Sequence, residues 1–302
     1  MVDHAAEGAV GVPFELDVER GKIAELARAT LTDNRAYFDG DRPVSSPTFL
    51  TTMFFWEERV AGSNPWHVVA MDQQRGMHAE QEYVFHGPPP RAGAKLVGRS
   101  RIASIFEKAG RRGGALTFVV MVTEFRDASG VLVAEARLTG VETGVAPTTT
   151  DSKATAVAKP DAAHAETPTV IEGLPPAPPP RTVGPISRTD IVRYQGASGD
   201  MNPIHHDEPF ARSAGYSAPL VVGMFQAGVL ANWGVDWLGA ENVRGFKVRW
   251  KEQVWPGDVL TFSGKVARAF LENGETRVEL ELTCTRQTGG VAAQAWEVFV
   301  VA

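Results

Sequence analysis

A carboxylate, a carboxamide and an imidazole are grouped in one short segment of the 302-residue chain. Residues 199–205 read Gly-Asp-Met-Asn-Pro-Ile-His, so that Asp200 and His205 lie five residues apart with Asn202 between them. A carboxylate and an imidazole held close together can polarise a water molecule and move its protons. His205 suits the role of base because histidine titrates near neutrality, and Asp200 can orient the imidazole or share the water. The segment therefore indicates acid/base chemistry.

The same residue types also make a simple turn. Gly, Asp, Asn and Pro all favour turns because of their backbone geometry, so the spacing alone leaves a turn and an active site equally open. His206 and Asp207 add the possibility of a metal site, but two adjacent histidines do not easily point at one ion, and no cysteine or third well-spaced histidine is nearby. We expect neither a metal nor a cofactor.

Helices are predicted on both sides of this segment. Ser187, followed by Asp190, is typical of a helix N-cap with an acidic partner three residues on, and it predicts a helix just before the segment. The apolar run at 219–238 predicts a long buried helix after it. Trp233 and Trp237, four residues apart, favour packing in the core of that helix over lining a cofactor site. The polar segment thus lies at a helix-to-helix junction.

The elements that follow this junction occur twice along the chain. Each half has a helix, a polar patch, an apolar run and four strand-like segments of period two, and in the N-terminal half the patch is Asp33 and Asn34 and the run is 49–56. This internal duplication predicts the α+β class, with a sheet wrapped around a central apolar helix in each half. The strand-like segments are 78–85, 96–102, 116–122, 132–138, 246–250, 260–266, 278–284 and 296–300.

An Ala-, Pro- and Thr-rich stretch separates the two halves. Residues 145–182 lack aromatic side chains and end in a run of prolines, which is typical of a linker stiffened by polyproline. A long surface loop within a single domain is the less favoured reading, because unstructured loops of this length are uncommon in compact domains. We predict one domain at 1–144 and a second at 183–302.

The composition limits the class of partner. A net charge of −6 and a pI near 5.7 disfavour nucleic acid as the main ligand. The one cysteine, Cys284, excludes an intrachain disulfide and indicates a reducing compartment, and its period-two setting predicts a place in the core. No apolar run approaches the roughly 18 residues that a membrane-spanning helix needs. We expect a soluble cytoplasmic protein that binds no membrane.

The stretch from Tyr194 to His205, Tyr-Gln-Gly-Ala-Ser-Gly-Asp-Met-Asn-Pro-Ile-His, with its continuation through Tyr216, resembles the hydratase-2 motif of MaoC-like (R)-specific enoyl-CoA hydratases and 3-hydroxyacyl-thioester dehydratases. The N-terminal half, more loosely, looks like the degenerate FAS1-type dehydratase domain of double hot-dog proteins. The resemblance implies a double hot-dog fold paired as a pseudo-dimer, with Asp200 and His205 catalytic and Asn202 matching the family's asparagine.

The activity implied by the resemblance is that of a lyase of fatty acid metabolism, one that reversibly hydrates a trans-2-enoyl-CoA or acyl-carrier thioester to the (R)-3-hydroxyacyl thioester. The turn at Val222, Gly223 and Met224 matches the family's His-Gly-Met turn with Val in place of His; the resemblance makes Gly223 and Met224 substrate-binding, with the Gly223 N–H on the thioester carbonyl. Alternatively, the glycine at position 223 allows close packing of the helix. Asp33 has no histidine five residues later, so we expect one active site per chain.

Two alternatives to the hydratase stay open. A hot-dog acyl-CoA thioesterase needs a carboxylate on the central helix, where the candidate is Asp236, and a non-catalytic acyl-thioester-binding subunit would need no acid/base pair. A homodimer is the assembly we consider.

For the remaining basic residues and histidines, a structural interpretation stands beside a functional one. Five basic side chains, Arg212, Arg244, Lys247, Arg249 and Lys251, form either a phosphate site or a solvated face, and His67, His78 and His86 are interpreted as structural or surface histidines.

Overall fold

The computed structural model of the chain describes residues 1–72, 75–110, 114–144 and 173–301. Two sets of antiparallel strands and helices follow one another, one in each half, as the α+β prediction requires. The helices are α1 (Arg20–Ala29), α2 (Phe54–Glu57), α3 (Arg188–Ser198), α4 (Glu208–Ser213) and α5 (Gly223–Leu238). The strands are β1 (Phe14–Asp17), β2 (Gly76–Phe85), β3 (Lys95–Ala109), β4 (Ala115–Arg126), β5 (Leu132–Thr143), β6 (Arg181–Val183), β7 (Val243–Trp250), β8 (Leu260–Glu272), β9 (Glu275–Arg286) and β10 (Val291–Val300).

All ten strands join in one sheet, in the order β1-β3-β4-β5-β2-β7-β10-β9-β8-β6. The order of the second half is the reverse of the order in the first, as expected of two copies related by a pseudo-twofold axis between β2 and β7. The short edge strands β1 and β6 were not predicted, because segments of four and three residues are too short to show an alternating pattern. The duplicated arrangement of strands is thus present, with one added edge strand in each half.

The central helices of the two halves differ in length. Helix α5 has 16 residues and is almost entirely buried against the sheet. Its counterpart is a 3-10 segment (Phe49–Met53) followed by the four residues of α2, because the apolar run there stops at Trp56 and charged residues follow. None of the helices within the described ranges is long and apolar enough to cross a membrane.

The end of the proline-rich stretch packs on α5. The indole N–H of Trp237 donates to the carbonyl of Pro175 at 2.8 Å, and that of Trp233 donates to the carbonyl of Pro179 at 3.2 Å. The two tryptophans also form an edge-to-face pair with ring centroids 5.7 Å apart. Both therefore serve packing, as predicted. The rest of the predicted linker, 145–172, lies outside the described residues, and the domain limits at 144 and 183 stay predictions.

The junction of the two halves combines a strand ladder with a small ion cluster. β2 and β7 pair in register from Glu80 opposite Arg249 to Val84 opposite Gly245. The Glu80 carboxylate lies 2.8 Å from the Lys247 ammonium and also pairs with Arg249. Burial alone would raise the pKa of Glu80, but these two cations outweigh it and hold the pKa below its ordinary value. Ionised Glu80 therefore stabilises the junction.

We expect Glu80→Gln to lower the free energy of unfolding at pH 7 by about 1 kcal/mol, since it removes the charge of the carboxylate that pairs with both Lys247 and Arg249. A lowered pKa in the folded state means that this stabilisation is present above the ordinary carboxyl pKa and is lost as the pH falls below 4.5. Urea unfolding at neutral and acidic pH measures both effects. The matched control is Glu82→Gln on the same strand, whose longer contact to Arg137 at 3.6 Å lies within one half. Equal stability of Glu80→Gln and the wild type at pH 7 would contradict the assignment.

Candidate active site

The segment between α3 and α4 is held by its own polar groups. A capping box of Ser187 and Asp190 begins α3, as predicted, and Gly199 ends it with φ of 83°, a conformation that favours glycine. The side-chain amide of Gln195 then donates to the carbonyls of Asp200 at 2.8 Å and Asn202 at 3.3 Å. These contacts fix the backbone that carries Asp200.

The two predicted catalytic side chains face each other. The Nε2 atom of His205 lies 3.9 Å from Oδ2 of Asp200, and Nδ1 of His205 lies 3.0 Å from the carbonyl oxygen of Leu220. A carbonyl can only accept, so Nδ1 carries the proton of the neutral ring and Nε2 presents its lone pair towards Asp200. A separation of 3.9 Å is too long for a direct hydrogen bond, but one water oxygen can contact both atoms.

The surroundings of His205 keep it in its basic form. Burial lowers the pKa of His205, the charge of Asp200 and the hydrogen bond to Leu220 oppose that shift, and His206 adds to it; the net direction is below the ordinary value of 6.5. The imidazole is therefore neutral at pH 7 and able to accept a proton. Of the two side chains, Asp200 is the more open, with 29% of its surface exposed against 13% for His205, so a ligand can reach the pair from the Asp200 side.

Helix α5 begins next to this pair. The hydrogen bond to Leu220 brings His205 against the segment that leads into Gly223, the first residue of α5. A first helical residue has no carbonyl four positions back within its helix, so its N–H is available at the positive end of the helix dipole. Gly223 is also closely packed: its carbonyl accepts from the Trp250 indole N–H at 3.0 Å, and a Cβ there would lie 2.9 Å from that ring. Both interpretations of Gly223 are compatible with this geometry.

Asn202 and Met224, the other two residues predicted to bind substrate, also have structural roles. Asn202 caps the 3-10 turn Pro203–His205, its Oδ1 accepting from Ile204 N at 3.1 Å, so it orients the turn that carries His205. Met224 has only 5% of its surface exposed, which leaves its backbone N–H, beside that of Gly223, as the group that could contact a ligand. Within the described residues, no group of three His, Cys, Asp or Glu side chains could hold a metal ion.

One residue of the site was missed. His78, in β2 of the N-terminal half, lies with its ring 4.6 Å from the Trp250 ring, and the charge of Asp200 acts on it. His78 is an exposed histidine that packs on Trp250, in agreement with the structural or surface interpretation, but its position beside Asp200 was not predicted. No local motif marks it, since only the pairing of β2 with β7 brings it here. His67 and His86 lie on the surface, and His86 is 3.4 Å from Glu135.

The basic residues proposed as an alternative phosphate site have partners on the protein. Carboxylates lie within salt-bridge distance of Arg212, Arg244, Lys247 and Arg249, and the Lys251 ammonium donates to the Gln294 side chain at 2.6 Å. These contacts within the protein do not favour the phosphate site.

The N-terminal half contains the structural counterpart of the catalytic loop. Asn34 caps the 3-10 turn Arg35–Tyr37 as Asn202 caps Pro203–His205, so Tyr37 occupies the position of His205. Thr32 Oγ1 accepts from Asn34 N as Asp200 Oδ1 accepts from Asn202 N. The counterpart of Asp200 is therefore Thr32, one residue before Asp33. The first half lacks both the carboxylate and the imidazole.

Buried side chains fill the site in the N-terminal half that corresponds to the catalytic site, and we call it the closed site. Tyr37 and Glu297 have no exposed surface, and burial raises the pKa of each well above its ordinary value. Neither the Tyr37 hydroxyl nor the Glu297 carboxyl has a hydrogen-bond partner among the described residues. Asp236 lies at the same end of α5, where its Oδ1 accepts from Asn34 Nδ2 at 2.7 Å. The carboxylate considered for a thioesterase is thus at the closed site, at the opposite end of α5 from Gly223.

Comparisons with known proteins agree with this division. The family described as MaoC like domain matches residues 169–286, and the FAS1-like dehydratase domain region matches residues 6–136. A UPF0336 protein of Parafrankia sp. (strain EAN1pec) is 33% identical over 144 residues, which cover 45% of this chain and 89% of that protein. 3-Hydroxyacyl-thioester dehydratase Y of Mycobacterium tuberculosis is 30% identical over 190 residues, covering 61% of this chain and 60% of that protein.

Solved structures show the same fold. A MaoC-like dehydratase superposes with a TM-score of 0.76 at 21% identity and covers 99% of both chains. A double hot-dog protein of Mycobacterium tuberculosis superposes with a TM-score of 0.64 at 13% identity, covering 97% of this chain and 96% of that one. The fold is therefore a double hot-dog, as predicted.

The chain thus contains a MaoC-like dehydratase domain in its C-terminal half and an FAS1-like dehydratase region in its N-terminal half. The MaoC-like domain suggests hydratase or dehydratase chemistry on acyl thioesters, which is the chemistry of a lyase.

Titration of His205 tests the electrostatics of the pair. Because the Asp200 charge raises the pKa of His205 against the effect of burial, we expect a pKa below 6.5 in the wild type and a still lower one in Asp200→Asn. NMR of the histidine ring resonances as a function of pH measures both, with the exposed His67 as internal reference. An unchanged or higher pKa of His205 in Asp200→Asn would show that the two groups are not coupled as described.

Glu297→Gln tests the closed site. A raised pKa means that the folded protein holds the Glu297 proton more tightly than the unfolded chain, so stability falls as the pH rises above 4.5. Glutamine has no such proton, and we expect the variant to be more stable by about 1–3 kcal/mol at pH 8, with the gap narrowing towards pH 4.5. Urea unfolding across this range measures it. Glu281→Gln, at a carboxylate 3.1 Å from Lys265, is the control that should show no such gap. Parallel curves for Glu297→Gln and the wild type would refute a buried, protonated Glu297.

Proposed function

We propose that the protein reversibly hydrates a trans-2-enoyl thioester, carried on CoA or an acyl-carrier protein, to the (R)-3-hydroxyacyl thioester, with one active site per chain. The observation that carries the proposal is the arrangement of Asp200 and His205. A neutral imidazole with Nδ1 committed to the Leu220 carbonyl directs its free Nε2 at a carboxylate 3.9 Å away. This geometry suits one water held between two acceptors, ready to lose a proton.

The hydration step follows from that arrangement. The water oxygen bonds to Cβ of the enoyl group while His205 Nε2 or Asp200 takes one of its protons. The Cα=Cβ π electrons move onto the thioester as an enolate, and a proton returns to Cα from the group that was protonated. The sum is the addition of H and OH across the double bond, so no cofactor enters the balance. Dehydration is the same sequence reversed.

The enolate oxygen needs a donor that is already oriented. The Gly223 N–H at the first turn of α5 is such a donor, since it is unpaired within the helix and lies at the positive end of its dipole. A preorganised donor of this kind contributes about 3–4 kcal/mol to transition-state stabilisation in known enzymes. Met224 supplies the next N–H of the same turn. A side chain at position 223 would come within 2.9 Å of the Trp250 ring, so glycine allows this close contact. The hydrogen bond from the Trp250 indole to the Gly223 carbonyl then holds the backbone in place.

Different observations support the number of active sites, the substrate with its stereochemistry, and the preference for a hydratase over a thioesterase. One active site per chain is supported by Thr32 and Tyr37 at the positions of Asp200 and His205. The enoyl thioester, the (R) configuration and the place in fatty acid metabolism are supported by the motif at 194–205 and by the similarity to the mycobacterial 3-hydroxyacyl-thioester dehydratase. A thioesterase using Asp236 is disfavoured because that carboxylate is bound to Asn34 at the closed site.

We expect Asp200→Asn and His205→Gln each to reduce kcat/KM for crotonyl-CoA hydration by about 10²–10⁴-fold, since each removes one of the two groups that hold and deprotonate the water. Loss of the enoyl absorbance measures the reaction. His67→Ala, at a surface histidine of the silent half, is the control that should retain full activity.

Three results would overturn the proposal. They are no hydration by the wild type of any enoyl-CoA from short to long chains, full activity of both substituted enzymes, and release of free CoA thiol without formation of the 3-hydroxyacyl thioester, which would identify a thioesterase.

A further inference from the structure

An aromatic ring of the N-terminal half packs on the catalytic loop. Phe55, in α2, is half-buried, and its ring lies against Gly199, the residue that ends α3 and precedes Asp200. A Cβ at Gly199 would come within 3.1 to 3.3 Å of three atoms of the Phe55 ring, which is tighter than an ordinary van der Waals contact. Phe55 therefore contacts the loop at the point where the backbone turns towards Asp200.

The ring gives a reason for glycine at position 199 that the backbone alone does not. Gly199 has a φ of 83°, which favours glycine. Its counterpart in the degenerate loop is Leu31, the residue before Thr32, and Leu31 adopts a φ of 58° with a full side chain. A left-handed residue at this point of the fold thus does not have to be glycine. A side chain at 199 would also meet the Phe55 ring, so Gly199 and Phe55 form a matched pair.

The Phe55 ring is itself held by other residues of the N-terminal half. The Lys22 ammonium lies 4.2 Å from the ring centroid and 2.7 Å from the Glu25 carboxylate, and only 15% of the Lys22 side chain is exposed. Trp56 packs edge-to-face on Phe55 with the centroids 6.3 Å apart. Cation–π and edge-to-face contacts both stabilise the position of a ring. Phe55 is therefore restrained from moving away from Gly199.

The catalytic carboxylate depends on this restraint because its other backbone contacts are local. The Asp200 N–H donates to Ser198 Oγ at 3.2 Å, and the Asp200 carbonyl accepts from Gln195 at 2.8 Å. Both partners belong to α3, whereas Phe55 contacts the loop from the other half. The carboxylate has to stay 3.9 Å from His205 Nε2 for one water to contact both groups. A misplacement of about 1 Å can cost about 10²-fold in rate.

We propose that Phe55 is a positioning residue of the active site, which holds Gly199, and through it the Asp200 carboxylate, at the working distance from His205. The N-terminal half, which has no acid/base pair of its own, thereby takes part in the chemistry of the other half. This inference rests on the proposed function for its effect on turnover. Its effect on the Asp200–His205 pair does not require the protein to be a hydratase.

The electrostatic coupling of Asp200 to His205 reports their separation without turnover. Its size is the fall in the His205 pKa that Asp200→Asn causes, measured by NMR both in the otherwise unchanged protein and in Phe55→Ala. Comparing the two falls removes the change in solvation that loss of the ring brings to both proteins of a pair. We expect the fall to be about half as large in Phe55→Ala, because the attraction weakens with distance.

Phe38→Ala is the matched control for this measurement. It removes another half-buried ring of the N-terminal half, one that has the Arg28 guanidinium 5.2 Å from its centroid, and it should leave the fall unchanged. Should thermal unfolding show that Phe55→Ala is not folded, Phe55→Leu keeps an apolar side chain without the flat ring, and the same direction is expected. An equal fall with and without Phe55, or no fall in either, would overturn the inference. The hydratase proposal is judged separately, by turnover.

Kinetics separate positioning from a contact with substrate. We expect Phe55→Ala to lower kcat for crotonyl-CoA hydration about 10- to 100-fold and to leave KM within about 2-fold, because the substrate still binds but meets a displaced carboxylate. A higher KM with unchanged kcat would identify Phe55 as part of the wall of the substrate pocket and would overturn the inference.

Gly199→Ala completes the test through the matched pair. With Phe55 present, the added methyl group meets both the ring and the strained backbone; in Phe55→Ala, only the backbone strain remains. We expect Gly199→Ala to lower kcat about 10-fold more with Phe55 present than in Phe55→Ala, which is the non-additivity of two residues in contact. Equal losses in the two backgrounds would show that the ring does not act through Gly199 and would overturn the inference.

Discussion

The antiparallel pairing of β2 with β7 determines how the two halves of this protein meet. It joins two five-stranded units into one sheet and places their elements on either side of a pseudo-twofold axis. Trp250 ends β7, and His78 lies near the start of β2, so antiparallel register brings these two rings together. The start of α5 consequently lies beside residues of both halves, and the acid/base pair comes from one.

Helix α5 connects the two sites that the duplication created. Its first residue, Gly223, lies beside the catalytic loop, and Asp236, near its other end, accepts a hydrogen bond from Asn34 of the degenerate loop. The two loops keep the same capping asparagine and differ in the flanking residues. At the degenerate end a tyrosine and a buried carboxyl fill the space, so the fold is retained there and the chemistry is lost. Loss of one site thus leaves the other supported by a complete pseudo-dimer.

Local sequence signals predicted the parts of the site that depend on neighbouring residues. The capping box at Ser187 and Asp190 and the spacing of Asp200 and His205 act within one turn or loop, so their geometry follows from residues close in the chain. His78 could not be found in this way, because its place depends on strand pairing between the halves. The shift from Asp33 to Thr32 was hidden for another reason: an acidic residue suggested one alignment, whereas the cap at Asn34 determines the real one. Helix α2 is short because its apolar run ends at Trp56. The sequence contains this signal, but the duplication led us to expect central helices of similar length in the two halves.

If the proposed function is correct, a thioester binds at the Gly223 end of α5 and not at the Asp236 end. A crystal structure of Asp200→Asn with bound crotonyl-CoA distinguishes the two ends. We expect the thioester carbonyl within hydrogen-bond distance of the Gly223 N–H and Cβ of the enoyl group beside His205 Nε2, with the Tyr37 site empty of ligand. A thioester bound next to Asp236 and Tyr37, or one whose carbonyl has no contact with the first turn of α5, would contradict it.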